Sequence, residues 1–233
     1  MTKFKKSEIT IIVLAIILVL LVTNLLLKNW VSAFNKFEKE KRIIVIDPGH
    51  GGRDPGKVAV NDALEKDINL QISLKIKEYL EQNDAEVIMI RESDRGLYKE
   101  SDSNKKRADL NKRAQIIRES NADVVVSIHQ NSFGEPQYKG AQVFYYSNSI
   151  EGKKLAEYIQ SDIARVADSS NKRNIKANDQ YFILRETPCP AVIVECGFLS
   201  NWEEANLLIT EDYQDKIAWS IYMGINKYIN SKE

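Results

Sequence analysis

The chain has 233 residues, with 33 Lys and Arg against 33 Asp and Glu, so its formal net charge is zero. That balance gives no basic face for nucleic acid, and no nucleic-acid partner is expected. Ten Gly and five Pro are too few for a low-complexity chain.

In chain order, Lys3, Lys5 and Lys6 precede an apolar stretch over residues 9–27, broken only by Thr10, Thr23 and Asn24. At about 1.5 Å per residue it spans about 28 Å, enough for the hydrocarbon core of a bilayer. It has no polar face, as a packed core helix would. The stretch is long for the apolar core of a signal peptide, so residues 1–30 read as a cytoplasmic tip and an uncleaved anchor. Val31-Ser32-Ala33 leaves signal-peptidase cleavage open. The early lysines favour an inside N-terminus, a bias that Lys28, Lys36 and Lys39 dilute. Residues 31–41 read as a charged linker, and residues 42–231 as one domain with a sizeable core.

Within that domain, runs dense in Val and Ile predict strands over residues 43–46, 86–90, 124–128, 142–146 and 191–194. Between them, Leu64, Ile68, Ile72, Ile76 and Leu80 recur at helical spacing. So do Leu110, Ala114 and Ile117, then Leu155, Ile159 and Ile163, and residues 212–229 close the chain as a helix. The alternation predicts an α/β domain with a mostly parallel central sheet flanked by helices. Polar residues 92–106 read as a mobile surface connection. Cys189 and Cys196 flank a predicted strand, which holds them roughly 20 Å apart, too far for a disulfide.

In such a sheet, functional groups gather at the C-terminal ends of strands. Three polar clusters fall there: Asp47-Pro48-Gly49-His50-Gly51-Gly52, His129-Gln130-Asn131, and Glu195 leading into Gly197-Phe198-Leu199-Ser200-Asn201. A lone histidine after a strand is more often a satisfied loop residue than a ligand. Here, however, the chain's only two histidines both occupy such positions. Two imidazoles and a carboxylate make a zinc site with an open position for water. Glu65 would supply the carboxylate from a helix N-terminus that favours its ionised form. Glu195 would serve as the base that moves the water proton. Spacing alone does not separate ligand from base.

From residue 43 to about residue 229 the chain resembles the zinc-dependent N-acetylmuramoyl-L-alanine amidases of the bacterial cell wall, the amidase-3 type. The matching residues are Ile46-Asp47-Pro48-Gly49-His50-Gly51-Gly52 with Asp54 and Gly56, then Glu65, Lys66, Asn69 and Leu70. Arg91 with Asp94, Ser127-Ile128-His129-Gln130-Asn131 and Val194-Glu195-Cys196-Gly197-Phe198-Leu199-Ser200-Asn201 complete them. The resemblance implies that His50, Glu65 and His129 hold Zn2+, that Glu195 is the catalytic carboxylate and that Asn131 binds substrate. The implied substrate is peptidoglycan, cut between muramic acid and L-alanine. Gln130 departs from the family, which usually has a small residue such as Ala there.

A short anchored amidase of this form is similar to the germination-specific type, which prepares spore-cortex peptidoglycan for muramic-δ-lactam formation. It would act at the extracytoplasmic face of the membrane, in the space between forespore and mother cell, or as a secreted enzyme after cleavage. Residues 140–196 are too compact for the blocking helix that some relatives carry, so control is expected from expression, from location or from an accessory activator protein. A vegetative cell-separation amidase is the alternative role. An inactive peptidoglycan-binding module should have lost at least one of the four site residues, and a zinc carboxypeptidase would differ in its products.

Overall fold

The computed structural model describes residues 5–37 and 41–232 and divides into two units, Met1–Lys41 and Arg42–Glu233. The first is one helix, α1 (Lys6–Phe37). Its stretch Thr10–Trp30 has a mean hydropathy of 3.0 and is long and apolar enough to cross a membrane. The helix continues through residues 31–37, where a linker was expected, because no Gly or Pro stops it there. Lys3 and residues 38–40 lie outside the described residues.

In the second unit the elements are β1 (Ile43–Pro48), α2 (Glu65–Glu81), β2 (Glu86–Met89), α3 (Lys105–Glu119), β3 (Val124–Asn131), β4 (Gln142–Tyr145) and α4 (Ile150–Asp162). A π-helical turn over residues 163–167, β5 (Lys176–Ala177), α5 (Phe182–Glu186), β6 (Ala191–Phe198), α6 (Trp202–Leu208) and α7 (Glu211–Asn230) follow. The sheet order is β2-β1-β3-β6-β4-β5. β2, β1, β3 and β6 are mutually parallel, β4 runs against β6, and β5 is parallel to β4. The mostly parallel sheet expected from the sequence is present.

Successive residues of a strand face opposite sides of the sheet, and this divides the core in two. Ile44, Ile46, Val124, Val126, Val192 and Val194 pack with Ile68, Ile72 and Ile76 of α2, Leu155 and Ile159 of α4, and Ile217 and Ile221 of α7. Val45, Val125 and Ile193 pack on the other side with Ile117 of α3 and Ile183 and Leu184 of α5. Coverage of both faces explains why the strands read as continuous apolar runs.

Two expectations need correction. β3 and β6 do not stop at their last apolar residue. Pairing continues through His129 with Glu195 and Asn131 with Phe198, across a bulge between His129 and Asn131. His129 and Glu195 therefore stand on adjacent strands rather than on loops beyond them. The polar run 92–106 is also more than a connection. Asp94 accepts from the Gly52 amide at 2.7 Å and from Lys66 at 2.6 Å, and the Tyr98 hydroxyl accepts from the Arg53 amide at 3.1 Å. This run braces the glycine turn after β1, and its last two residues open α3. The cysteines are free as expected, Cys196 buried and Cys189 half-buried.

Behind the turn lies a buried ion pair. Arg113, 2% exposed, reaches Asp47, 1% exposed, at 2.5 Å and also donates to the carbonyls of Pro48 and His50. Burial opposes ionisation of Asp47, yet Arg113 and the Ser127 hydroxyl hold its carboxyl below the usual value. Arg113→Ala would leave that carboxylate buried without its partner, a loss of about 3–5 kcal/mol. Chemical denaturation of the variant should give this decrease, and a loss below about 1 kcal/mol would contradict the pair's structural role.

Candidate metal centre

β1 delivers the chain to a turn in which His50 takes a left-handed conformation, φ 61°. A non-glycine residue adopts this at a cost that its surroundings must offset. The Arg113 bond to the His50 carbonyl and a contact of 3.0 Å from His50 Nδ1 to Asp54 Oδ2 are the restraints. With Nδ1 turned to Asp54, Nε2 faces Glu65 Oε1 at 3.1 Å. Glu65 is the first residue of α2. Its Oε2 accepts from the Lys57 amide at 2.8 Å and its Oε1 from the Gln130 amide at 3.1 Å. From β3, His129 Nδ1 meets the same Oε1 at 3.0 Å.

Two imidazole nitrogens thus converge on one carboxylate oxygen. The ligand atoms of His50, Glu65 and His129 lie within 4.8 Å of one another, and the group can hold a metal ion. The imidazole rings meet edge to face, 5.0 Å between centroids. Close approach explains two glycines. A side chain at Gly49 would run into the His129 ring, and one at Gly56 would meet Glu65 Oε2 at 2.5 Å. The donor set, two imidazoles and one carboxylate, is that of catalytic zinc sites.

Electrostatics favour cation binding. Burial works against ionisation of Glu65, but hydrogen bonds and charges from His129 and His50 outweigh it and hold the carboxyl well below its usual range. Burial lowers the affinity of His50 for its proton, and Glu65 and Asp54 more than reverse this. The same carboxylates that favour a proton would favour a metal cation.

Glu195 is 7% exposed on β6 and lines, with His50, Glu65 and His129, a cavity of about 600 Å³. Burial and the charge of Glu65 push its carboxyl upward against the opposing effects of His129 and Tyr181. Asn131 lines the same cavity, half-buried, its Oδ1 accepting from the Ser132 amide at 2.8 Å. Gln130 turns its side chain to Asn69, whose Nδ2 reaches the Gly49 carbonyl. All five residues singled out from the sequence are therefore gathered at one cavity.

Sequence reasoning gave no part to Tyr181, whose hydroxyl lies 3.2 Å from Glu195 Oε1. Nor did it see that Asp54 touches His50. Asp54 lies at a short spacing from His50 and was open to notice, whereas Tyr181 belongs to a segment without periodicity.

A family model described as N-acetylmuramoyl-L-alanine amidase matches residues 44–227. The germination-specific N-acetylmuramoyl-L-alanine amidase of Bacillus subtilis (strain 168) is 40% identical over 194 residues, 82% of this chain and 81% of that protein. Escherichia coli (strain K12) amidase AmiA is 27% identical over 233 residues, 82% of this chain and 77% of its own. Among solved structures, the CwlD amidase from Clostridioides difficile, in complex with the GerS lipoprotein, superposes with a TM-score of 0.80. It shares 44% identity, and the match covers 82% of this chain and 100% of that one.

Proposed function

We propose, from the premise that this chain belongs to the N-acetylmuramoyl-L-alanine amidase family, that it is a zinc enzyme of spore-cortex peptidoglycan. Its bond would be the amide between N-acetylmuramic acid and the first L-alanine of the stem peptide. The observation that carries the zinc reading is the convergence of His50 Nε2 and His129 Nδ1 on Glu65 Oε1. The 40% identity to a germination-specific amidase supports the cortex role and, with it, muramic-δ-lactam formation.

His50, Glu65 and His129 would hold zinc, which would supply Lewis-acid polarisation of the scissile carbonyl and a lower pKa for water. Hydrolysis breaks one C–N bond and consumes one water, whose hydroxyl joins the carbonyl carbon while its proton goes to the departing nitrogen. Glu195 accepts that proton and returns it to the L-alanine amine. Asn131, on the cavity wall, would bind the substrate. Asp54, at His50 Nδ1, keeps that imidazole oriented with Nε2 toward the site.

The apolar helix α1 fits an anchor that holds the domain at the extracytoplasmic face, in the intermembrane space around the forespore. An accessory protein belongs to this reading, since the CwlD structure contains a lipoprotein partner. The test uses the full chain in detergent, with zinc content and digestion of purified peptidoglycan read together. About one zinc per chain and new L-alanine amino termini are expected. Release of a C-terminal amino acid with the muramic linkage intact would overturn the assignment. Inactivation in the living organism should remove muramic-δ-lactam from the cortex, and an unchanged cortex would refute the spore role.

A further inference from the structure

Glu195 has one buried oxygen that the fold leaves unsatisfied. Oε1 lies 3.2 Å from the Tyr181 hydroxyl, whereas Oε2 is buried and has no hydrogen-bond partner among the described residues. Most buried polar atoms are hydrogen-bonded. Asp162 also has an unpartnered oxygen, Oδ2, but its Oδ1 is neutralised by Arg165 and Lys227 and it lies away from the cavity. Glu195 has no ion pair of that kind among the described residues. Glu204 provides the internal comparison at 4% exposure. Its Oε1 accepts from the Gly140 amide at 2.9 Å and its Oε2 from the Phe198 amide at 2.8 Å. Glu195 lacks that arrangement, and it lines the cavity shared with the metal-binding group.

Tyr181 is itself held before it reaches the carboxylate. It precedes α5 as its N-cap residue, its amide donates to Asn178 Oδ1 at 3.2 Å, and its ring stands edge-on to Phe144 at 5.5 Å. Burial and the charge of Glu195 push its phenol upward, so it remains a donor at neutral pH. A carboxylate oxygen that already accepts a hydrogen bond is the weaker base of the two. The proton of hydrolysis is therefore directed to the other oxygen.

We propose that Tyr181 is the positioning residue of Glu195, holding Oε1 by its hydroxyl so that Oε2 is the oxygen that exchanges the proton. This rests on the reading of Glu195 as the proton carrier. The test compares Tyr181→Phe with the unaltered full chain, in detergent, on soluble muropeptide. kcat should fall about 10- to 100-fold, the effect of losing one hydrogen bond to a charged group, with KM, zinc content and melting temperature unchanged. In a Glu195→Asp background, where the shorter side chain withdraws from the hydroxyl, the same change should lower kcat by less than about threefold.

A normal kcat in Tyr181→Phe, or a loss accompanied by zinc release or a lower melting temperature, would overturn the positioning role. So would an undiminished loss in the Glu195→Asp background, since Tyr181 would then act on the substrate directly. Activity retained in Glu195→Ala would instead remove the premise. An inactive Glu195→Ala with a normal Tyr181→Phe would defeat the Tyr181 proposal alone.

Discussion

Glu195→Ala should bind zinc at the level of the unaltered chain and lose about a hundred- to ten-thousandfold in kcat, the range associated with a positioned general base. Two observations separate metal retention from turnover. Among the described residues the Glu195 side chain is hydrogen-bonded to Tyr181, and no hydrogen bond joins it to His50, Glu65 or His129. Its β6 register holds the backbone beside His129, a pairing that does not depend on the side chain. The His–Glu–His group therefore survives the substitution while the cavity loses its free carboxylate oxygen. Glu195→Gln should be as inactive as the alanine variant, because an amide preserves the shape but cannot accept the proton. Zinc per chain and single-turnover rates on muropeptide test both points. Near-normal turnover in either variant would assign the base elsewhere, and loss of zinc would make Glu195 a ligand.

The sheet was legible because its strands are covered on both faces. Their Val and Ile runs contrast with the polar residues around them, and α2 carries a clear period from Ile68 to Leu80. What escaped notice had no such contrast. β5 is two exposed residues at a sheet edge, and α5 and α6, with five and seven residues, are too short to establish a period. The expected ends of β3 and β6 were the last apolar residues of their runs, Ile128 and Val194, although backbone pairing is indifferent to side-chain polarity and continues through His129 and Glu195. Residues 92–106 misled for a related reason. Their composition is polar because Asp94 and Tyr98 satisfy the amides of a neighbouring turn, which sequence proximity does not reveal.

The site was legible through scarcity, with two histidines in the whole chain, both directly after apolar strand runs. The two glutamates could not be told apart by spacing. The structure distinguishes them by their surroundings: Glu65 lies between both imidazoles and two backbone amides, and Glu195 beside a phenol. Tyr181 stayed invisible because its partner is reached only through the sheet. Nothing in Asn178-Asp179-Gln180-Tyr181 signals a functional side chain.

His129→Ala should lose the metal itself and all measurable activity. Removing it leaves His50 and Glu65, one ligand short of the three-residue group. Loss of a residue that only supports a ligand already costs about 10- to 100-fold in metal affinity, and loss of a ligand should exceed that. The fold should persist, because neither apolar core includes His129. Thermal unfolding gives the discriminating comparison, since a ligand bound only to the native state raises stability in proportion to the logarithm of its saturation. A chelator should lower the melting temperature of the unaltered chain and leave that of His129→Ala unchanged. The pH dependence has a defined direction as well. Glu65 and Asp54 raise the proton affinity of His50, and a proton on its Nε2 competes with the metal for the same lone pair. Zinc affinity should therefore fall as pH drops through that raised value. Stoichiometric zinc in His129→Ala, or a chelator effect of equal size in both proteins, would remove His129 from the ligand set.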